Sequence, residues 1–502
     1  MRRLLQTLAL ALLVLAPAAQ ATWSIVAVDR RTGEVIVAGA TCVSGIDLDD
    51  YLPVIVVGKG VGAVQFFPDG NAVNRNAIRD VFLAGGTAAE AFQAVQDAGV
   101  TIQNHQYGIC AMSGAPLTFS GNQCWFAYSG RAGEVGDLAY AVQGNSLSCN
   151  EVVLMAEAAF KQTQGDLGTR VMAAMEAAAL LGGDGRCSCN DFTPNACGCS
   201  PPNSQTTATT GFLVWSRLGD LDGSCTPAQG CVNGSYFAKL SVQANSSLVG
   251  FLRASYDAWR AGQAGRPDHL NSRVLVPDQR LRANGTDSTT VTLELVDIEG
   301  VPLVTGGAQL SLVPVVPGVD PFDLGAVTDH GDGTYSLELT SNGQVGRGAY
   351  EVWVDDGAGA VRLFPDLFVE ADAPAPLHLS RWEVRASEGG VVRARLDLPA
   401  EAGRPYQVLA STAGTSPGVA VGGVLVPLNP SRLFGLTLQG GLPWLPGGAG
   451  TLDAAGGAEA QFLLDPAVAV HLVGTRIQVA ALLADQGSGA AVVGPASFRV
   501  NP

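Results

Sequence analysis

All ten cysteines of this chain lie before residue 232, and the long stretch that follows has none. A half that can be cross-linked, joined to a half without a thiol, implies separate folding units with separate cores. The 502 residues, at about 150 per domain, suggest three such units. Apolar residues make up 47% and charged residues 15%, which are globular values. The net charge of −16 disfavours contact with phosphate backbones, so no nucleic-acid partner is expected.

The chain opens as an export signal. Arg2 and Arg3 precede an apolar run from Leu4 to Leu15, and Ala19-Gln20-Ala21 offers a small-x-small cleavage site. Residues 1–21 are read as a signal peptide, the alternative being an uncleaved anchor. The run is short for a membrane span, and no later run is long enough, so a secreted or cell-surface protein without a membrane span is expected. In an exported chain an even number of cysteines argues for disulfides. Cys187-x-Cys189 and Cys197-x-Cys199 have the ligands for a zinc site, but the tight spacing and the compartment favour bridges. Cys225 and Cys231 could close a small loop. No metal and no cofactor are expected.

Hydrophobic periodicity predicts a first domain over 22–267. Strands are expected at Trp23–Val28, Glu34–Thr41, Leu52–Val57, Val61–Phe67, Gln106–Met112, Cys124–Tyr128, Leu138–Val142, Gly211–Arg217 and Tyr236–Val242. Helices are expected at Val73–Ala84, from Thr87 with Glu90 in a capping box, at Glu151–Thr163 capped by Asn150, at Leu167–Leu181 capped by Asp166, and at Leu248–Ala261. Helix pairs alternating with groups of strands suit two stacked sheets between helical layers, not a doubly wound parallel sheet. A cysteine-rich insertion spans 187–206. A polar linker then leads into an Ig-like β-sandwich over 273–372, with strands at Thr289–Val296, Ala308–Val313, Thr334–Leu339 and Ala349–Asp355. Beyond Ala373-Pro374-Ala375-Pro376, residues 377–502 read as a further β-sandwich with almost no helical periodicity.

Signal cleavage would leave Thr22 first. A terminal threonine carries a hydroxyl beside an α-amine whose pKa is about 7.7–8.0, so the residue can deprotonate its own Oγ. Thr22 also runs directly into a predicted strand, which would hold it rigidly.

The segment Thr22-Trp23-Ser24-Ile25-Val26-Ala27-Val28-Asp29, followed by Thr32-Gly33-Glu34, resembles the opening of the domain of unknown function 1028 family. Gly60-Val61-Gly62-Ala63-Val64, His105-Gln106-Tyr107-Gly108, Gln143-Gly144-Asn145 and Gly182-Gly183-Asp184 with Arg186 extend the resemblance over about residues 22–241. Trp23 stands where the family usually has Phe. The resemblance implies an N-terminal-nucleophile hydrolase fold of four αββα layers, hence a multidomain chain with an α+β first domain and two all-β sandwiches. It implies Thr22 as nucleophile; among the supporting residues, Asn145 and a backbone N–H near Gly144 could face an oxyanion. Asp184 would orient the amine, and Gln143 and Arg186 would contact substrate. For Asn145 a turn role, and for Asp184 and Arg186 a structural ion pair or a solvated loop, are the alternatives. His105 and Gln106 read as structural, and Lys59 as a solvated turn residue. Asp220-Leu221-Asp222-Gly223 reads as a turn rather than a calcium loop. Sequons occur at Asn233, Asn245 and Asn284. No phosphate loop, G-x-S-x-G elbow or H-E-x-x-H motif is present.

The expected function is a secreted N-terminal-threonine amidohydrolase acting on a peptide, an acylated amine or a modified Asn/Asp derivative. Its C-terminal modules would contact a cell surface or matrix. The alternative is a non-catalytic extracellular binding or structural protein that keeps the scaffold.

Overall fold

The computed structural model describes residues 22–502 except Ser200, Pro317, Val319, Gln486 and Ser488. The expected signal peptide lies outside the described residues. The chain divides into two compact units, at Ala264/Gly265. No helix among the described residues is long and apolar enough to cross a membrane.

Among the described residues of the first unit, ten strands form two antiparallel sheets. The larger is made of β1 (Thr22–Asp29), β2 (Glu34–Thr41), β7 (Ser129–Val135), β8 (Leu138–Asn145), β9 (Thr210–Ser216) and β10 (Ala238–Val242), in the order β10-β9-β2-β1-β8-β7. The smaller runs β3 (Pro53–Val56), β4 (Gly60–Phe66), β5 (His105–Ala111) and β6 (Leu117–Ser120), side by side. Strand alternation sorts each sheet's residues between two faces. Val26, Val28, Val35, Val37, Ala139, Ala141, Phe212 and Val214 of the large sheet share one core with Ile55, Val61, Ala63 and Cys110 of the small sheet. Trp23, Ile25, Ile36, Leu213 and Trp215 face the other way. They pack with helices Glu151–Gln162, Leu167–Leu180 and Leu248–Ala261 through Val152, Phe160, Met172, Met175, Leu252 and Tyr256. On the far side of the small sheet, Val54, Val64, Tyr107 and Ile109 pack with Ile78 and Phe82 of helix Val73–Leu83 and Ala88, Ala91 and Val95 of helix Ala88–Asp97.

Local chemistry explains the element ends. Thr87 and Glu90 form the capping box, and Asp166 accepts the Thr169 N–H. Asn150, expected to cap, makes no side-chain bond to its helix. Gly182 and Gly183, at φ +100° and +51°, end helix Leu167–Leu180; a Cβ on Gly183 would lie 2.6 Å from the Trp23 ring. Cys124–Tyr128 is not a strand; strands flank it instead at Leu117–Ser120 and Ser129–Val135. The latter is an edge strand with no fully buried residue, so it lacks an apolar alternation to betray it.

Of the ten cysteines, eight form bridges: Cys42–Cys187, Cys149–Cys199, Cys189–Cys197 and Cys225–Cys231. Cys110 and Cys124 remain as buried thiols, so the even count does not pair completely. Both C-x-C pairs are consumed in bridges, which tie the 187–199 segment to Cys42 and Cys149. Asp220 and Asp222 likewise serve backbone amides: Asp220 accepts from Arg217 and Phe237, and Asp222 from Val57.

The second unit holds two β-sandwiches. In the first, a sheet containing Arg273–Leu275, Ser288–Glu294, Thr334–Ser341 and Phe322–Leu324 faces one containing Arg280–Arg282, Ala360–Asp372, Gly346–Asp355 and Gln309–Pro314. Ala360–Asp372 was not expected, because Pro365 interrupts its pattern. The ladder with Gly346–Asp355 shifts register there, between Tyr350 and Val352, so proline's missing N–H is not needed. The last sandwich packs sheets of three and five strands and includes helix Arg432–Gln439, capped by Ser431, which periodicity did not reveal. Asp278 accepts hydrogen bonds from both Arg393 (2.5 Å) and Arg395 (2.9 Å), linking the two sandwiches by charge.

Two predictions follow from this layout. In calorimetry of the whole chain, reductant should lower the unfolding temperature of the first unit and leave the cysteine-free unit in place. By the chain-entropy account, Cys42–Cys187, which closes a separation of 145 residues, is worth about 5 kcal/mol; a single transition shifting as a whole would contradict independence of the units. The second concerns Glu34, which pairs with Arg217 at 3.2 Å. Burial pushes its carboxyl up to about 7, against the pull of Arg217, from 4.5. The fold therefore holds this proton more tightly than the unfolded chain does. The resulting stabilisation is complete below about pH 4.5 and is lost as pH rises through about 7. The first unit's Tm should fall from about pH 5 to about pH 8, and Glu34→Gln should flatten that slope; equal slopes in both proteins would place the effect elsewhere.

Candidate functional site

Thr22 opens the strand at the middle of the large sheet. It stands opposite Asn145 of β8 on one side and Thr41 of β2 on the other, and Thr41 stands opposite Thr210 of β9. All four are at most 1% exposed. Thr22 shares the parity of Val26 and Val28, so this row faces the small sheet. The space between the sheets is thus apolar over most of its length and polar at the end where β1 begins.

Hydrogen-bonded amides fill that end. Gln143 Nε2 donates to Ser24 Oγ (2.6 Å), and Ser24 Oγ donates to Gln65 Oε1 (2.6 Å). Gln65 Nε2 donates to the Thr22 carbonyl (3.0 Å) and to Gln106 Oε1 (2.7 Å). Asn145 Nδ2 also donates to Gln106 Oε1, at 3.3 Å. Gln106 Nε2 is shared among Ser120 Oγ (2.8 Å) and the carbonyls of Ser129 and Gly144 (both 3.0 Å). Gly108 makes room for this network: a Cβ there would lie 2.1 Å from Gln143 Oε1.

Asp184 is fully buried and accepts from four donors: the Cys42 N–H (2.7 Å), the Arg186 N–H (3.0 Å), Arg186 Nε (3.2 Å) and Arg186 Nη2 (2.9 Å). Arg186 Nη2 also donates to Thr41 Oγ1 at 3.3 Å, connecting the ion pair to the threonine row. The pair abuts Thr41, the neighbour of Thr22. Ser146 follows Asn145 at φ +48°, a conformation unusual outside glycine. Its N–H donates to the Trp125 carbonyl, and its carbonyl accepts from Gly185. Gln143 Oε1, Asn145 Oδ1, Ser146 Oγ and Thr210 Oγ1 are buried without a hydrogen-bond partner among the described residues. Groups so placed are costly unless a ligand or water meets them.

The structure thus brings Thr22, Gln143 and Asn145 together, and Asp184 with Arg186 beside Thr41. The backbone donor expected near Gly144 is held inside the sheet, where Gly144 lies between Trp23 and Ser129. Lys59 donates to the Leu83 carbonyl at the opposite end of β4 from Gln65, away from Thr22. His105 meets the Thr101 carbonyl, and burial lowers its pKa. Cys149, Glu151 and Cys199 lie together, but the two sulfurs are bonded to each other. Sequence reasoning missed Ser24, Thr41, Gln65 and Thr210. A signal existed: each is a polar residue at an inward strand position, with Gln65 between Ala63 and Phe67 and Thr210 between Ala208 and Phe212.

Residues 22–189 match the model of a family of unknown function, DUF1028, and residues 268–361 match that of invasin domain 3. No curated protein matches the chain. A DUF1028 protein of Silicibacter pomeroyi is 16% identical, with a TM-score of 0.35 over 47% of this chain and 88% of that one. The adhesin InvE of Yersinia pseudotuberculosis is 16% identical (TM-score 0.17, 45% of this chain and 58% of that one). Invasin, a bacterial integrin-binding protein, is 14% identical (TM-score 0.18, 59% and 46%). The chain spans about half the length of these two adhesins. It joins a DUF1028 domain, matched over residues 22–189, to an all-β region that resembles invasin domain 3 over residues 268–361.

Proposed function

We propose that the first unit is an N-terminal-threonine amidohydrolase with the αββα layering of N-terminal-nucleophile hydrolases, exported and trimmed to begin at Thr22. The observation that carries this reading is the position of Thr22: first residue of the central strand, buried, and flanked by Asn145 and Thr41 at the polar end of the inter-sheet space. Four disulfides fit an oxidising compartment.

Cleavage before Thr22 frees an α-amine that takes the proton of Oγ, and Oγ attacks an amide carbonyl. Asn145 Nδ2 has a second N–H beyond the one given to Gln106, and this donates to the developing oxyanion. The amine proton passes to the leaving nitrogen, and water then releases the acyl group from Oγ. Asp184 and Arg186 act as positioning residues: they hold Thr41 against Thr22 rather than binding substrate charge. Gln143, committed to Ser24 through Nε2, offers Oε1 to a substrate N–H. The invasin-type module and the last sandwich attach the enzyme to a cell-surface or matrix partner. A second reading, a binding protein on a retained scaffold, draws support from the match to invasin domain 3.

Mass spectrometry of the secreted protein after treatment with a β-lactone decides between them. The mature chain should begin at Thr22 and carry the acyl adduct there. Thr22→Ala should abolish labelling, Thr22→Ser should retain it, and Asn145→Ala should slow it about 100-fold. A different N-terminus, or no labelling of a correctly trimmed and folded protein, would favour the binding protein.

A further inference from the structure

The segment read as a strand, Cys124–Tyr128, is instead a loop that carries aromatic rings to the surface. Trp125 is 48% exposed and Phe126 71%. Phe126 stacks on Tyr128 with ring centroids 5.6 Å apart. Phe66 packs edge-on against both Trp125 (6.4 Å) and Phe67 (5.5 Å). Large exposed rings grouped in this way mark recognition surfaces more often than solvated loops.

The same two segments build the polar site. Phe66 and Phe67 directly follow Gln65, which holds the Thr22 carbonyl. Phe66 has φ +82°, a left-handed turn that ends β4 at this point. The carbonyls of Trp125 and Ala127 accept the N–H groups of Ser146 and Leu147, immediately after Asn145. The rings are therefore continuous through the backbone with Gln65, which holds the Thr22 carbonyl, and with Asn145, which stands opposite Thr22. Inside the site, the unpartnered polar atoms of Gln143, Asn145 and Ser146 are neutral. Among the described residues the ion pair beside the threonine row is Asp184 with Arg186, which bond each other, the Cys42 N–H and Thr41. A charged substrate group would lose its hydration without gaining a counter-ion there.

We infer that Phe67, Trp125, Phe126 and Tyr128 form the substrate-side wall of the Thr22 site, and that the substrate is an uncharged amide whose acyl side carries an aromatic group. This rests on the reading of Thr22 as nucleophile. The occupant is set by two features together: neutral amides and hydroxyls to meet the reacting amide, and stacked rings to meet the group beside it.

The test uses full-length secreted protein and four N-acetyl dipeptidyl epoxyketones, differing only in Phe, Gly, Asp or Lys beside the ketone. In each, Thr22 Oγ adds to the ketone and its α-amine opens the epoxide, so the whole probe is retained in the adduct mass. The Phe probe should label Thr22 at least about tenfold faster than the Gly probe, and the Asp and Lys probes no faster than Gly. Joint substitution Trp125→Ala and Phe126→Ala, at two exposed positions, should bring the Phe-to-Gly ratio to about one. A wild-type ratio of one, or preference for Asp or Lys, overturns this inference and leaves Thr22 as nucleophile. No labelling by any probe removes both. A dimer in sedimentation that the double substitution turns into monomer assigns the rings to self-association and also overturns it.

Discussion

The carboxamide of Gln106 is the interaction on which the rest of the first unit depends. It projects from β5 of the small sheet and is bonded to Gln65 on β4, Ser120 on β6, the Ser129 carbonyl on β7, and Asn145 and the Gly144 carbonyl on β8. One neutral side chain therefore fixes how the two sheets meet at the end where β1 starts. Dispersion between valines and alanines sets the spacing of two sheets but tolerates sliding. Directional hydrogen bonds in a dry interior do not, and each one left unmade is expensive. The amides set the register of sheet on sheet, and Thr22 takes its position from them.

This arrangement explains the company Thr22 keeps. On the proposed reading Thr22 would carry its own base and would need no charged partner in contact, only neutral donors in fixed places. The network supplies these from glutamine, asparagine and serine, and leaves the one nearby ion pair to brace Thr41. Its unfilled acceptors and hydroxyls are costly to bury unless a ligand or water meets them.

The halves of the chain reach stability by different means. The first unit adds cross-links, with Cys42 and Cys149 anchoring a segment that has little core of its own. The second dispenses with cysteine and relies on alternating strands, with Asp278 holding Arg393 and Arg395 between its two sandwiches. The charge pair is partly exposed, and its worth is correspondingly modest.

The sequence by itself determined what depends on near neighbours. Strand alternation, the capping box of Thr87 and Glu90, the glycine stop after Leu181 and the division of cysteines are all written locally, in spacings of two to four residues or in composition. Thr22, Gln143, Asn145, Asp184 and Arg186 were legible as candidates because they sit in short ordered motifs. Only the tertiary structure decided the rest. Ser24 and Gln65 lie 41 residues or more along the chain from the partners that define them, and those of Gln106 lie 14 to 41 residues away on four different strands. Cys110 and Cys124 stay unpaired because sheet packing, not their number, settles which sulfurs meet. Trp125 and Phe126 read as a strand because ring and strand share a composition; their exposure depends on the loop's hold on Ser146 and Leu147. Contacts between distant segments carry no local signature, since the energy that selects them appears only when both sheets are in place.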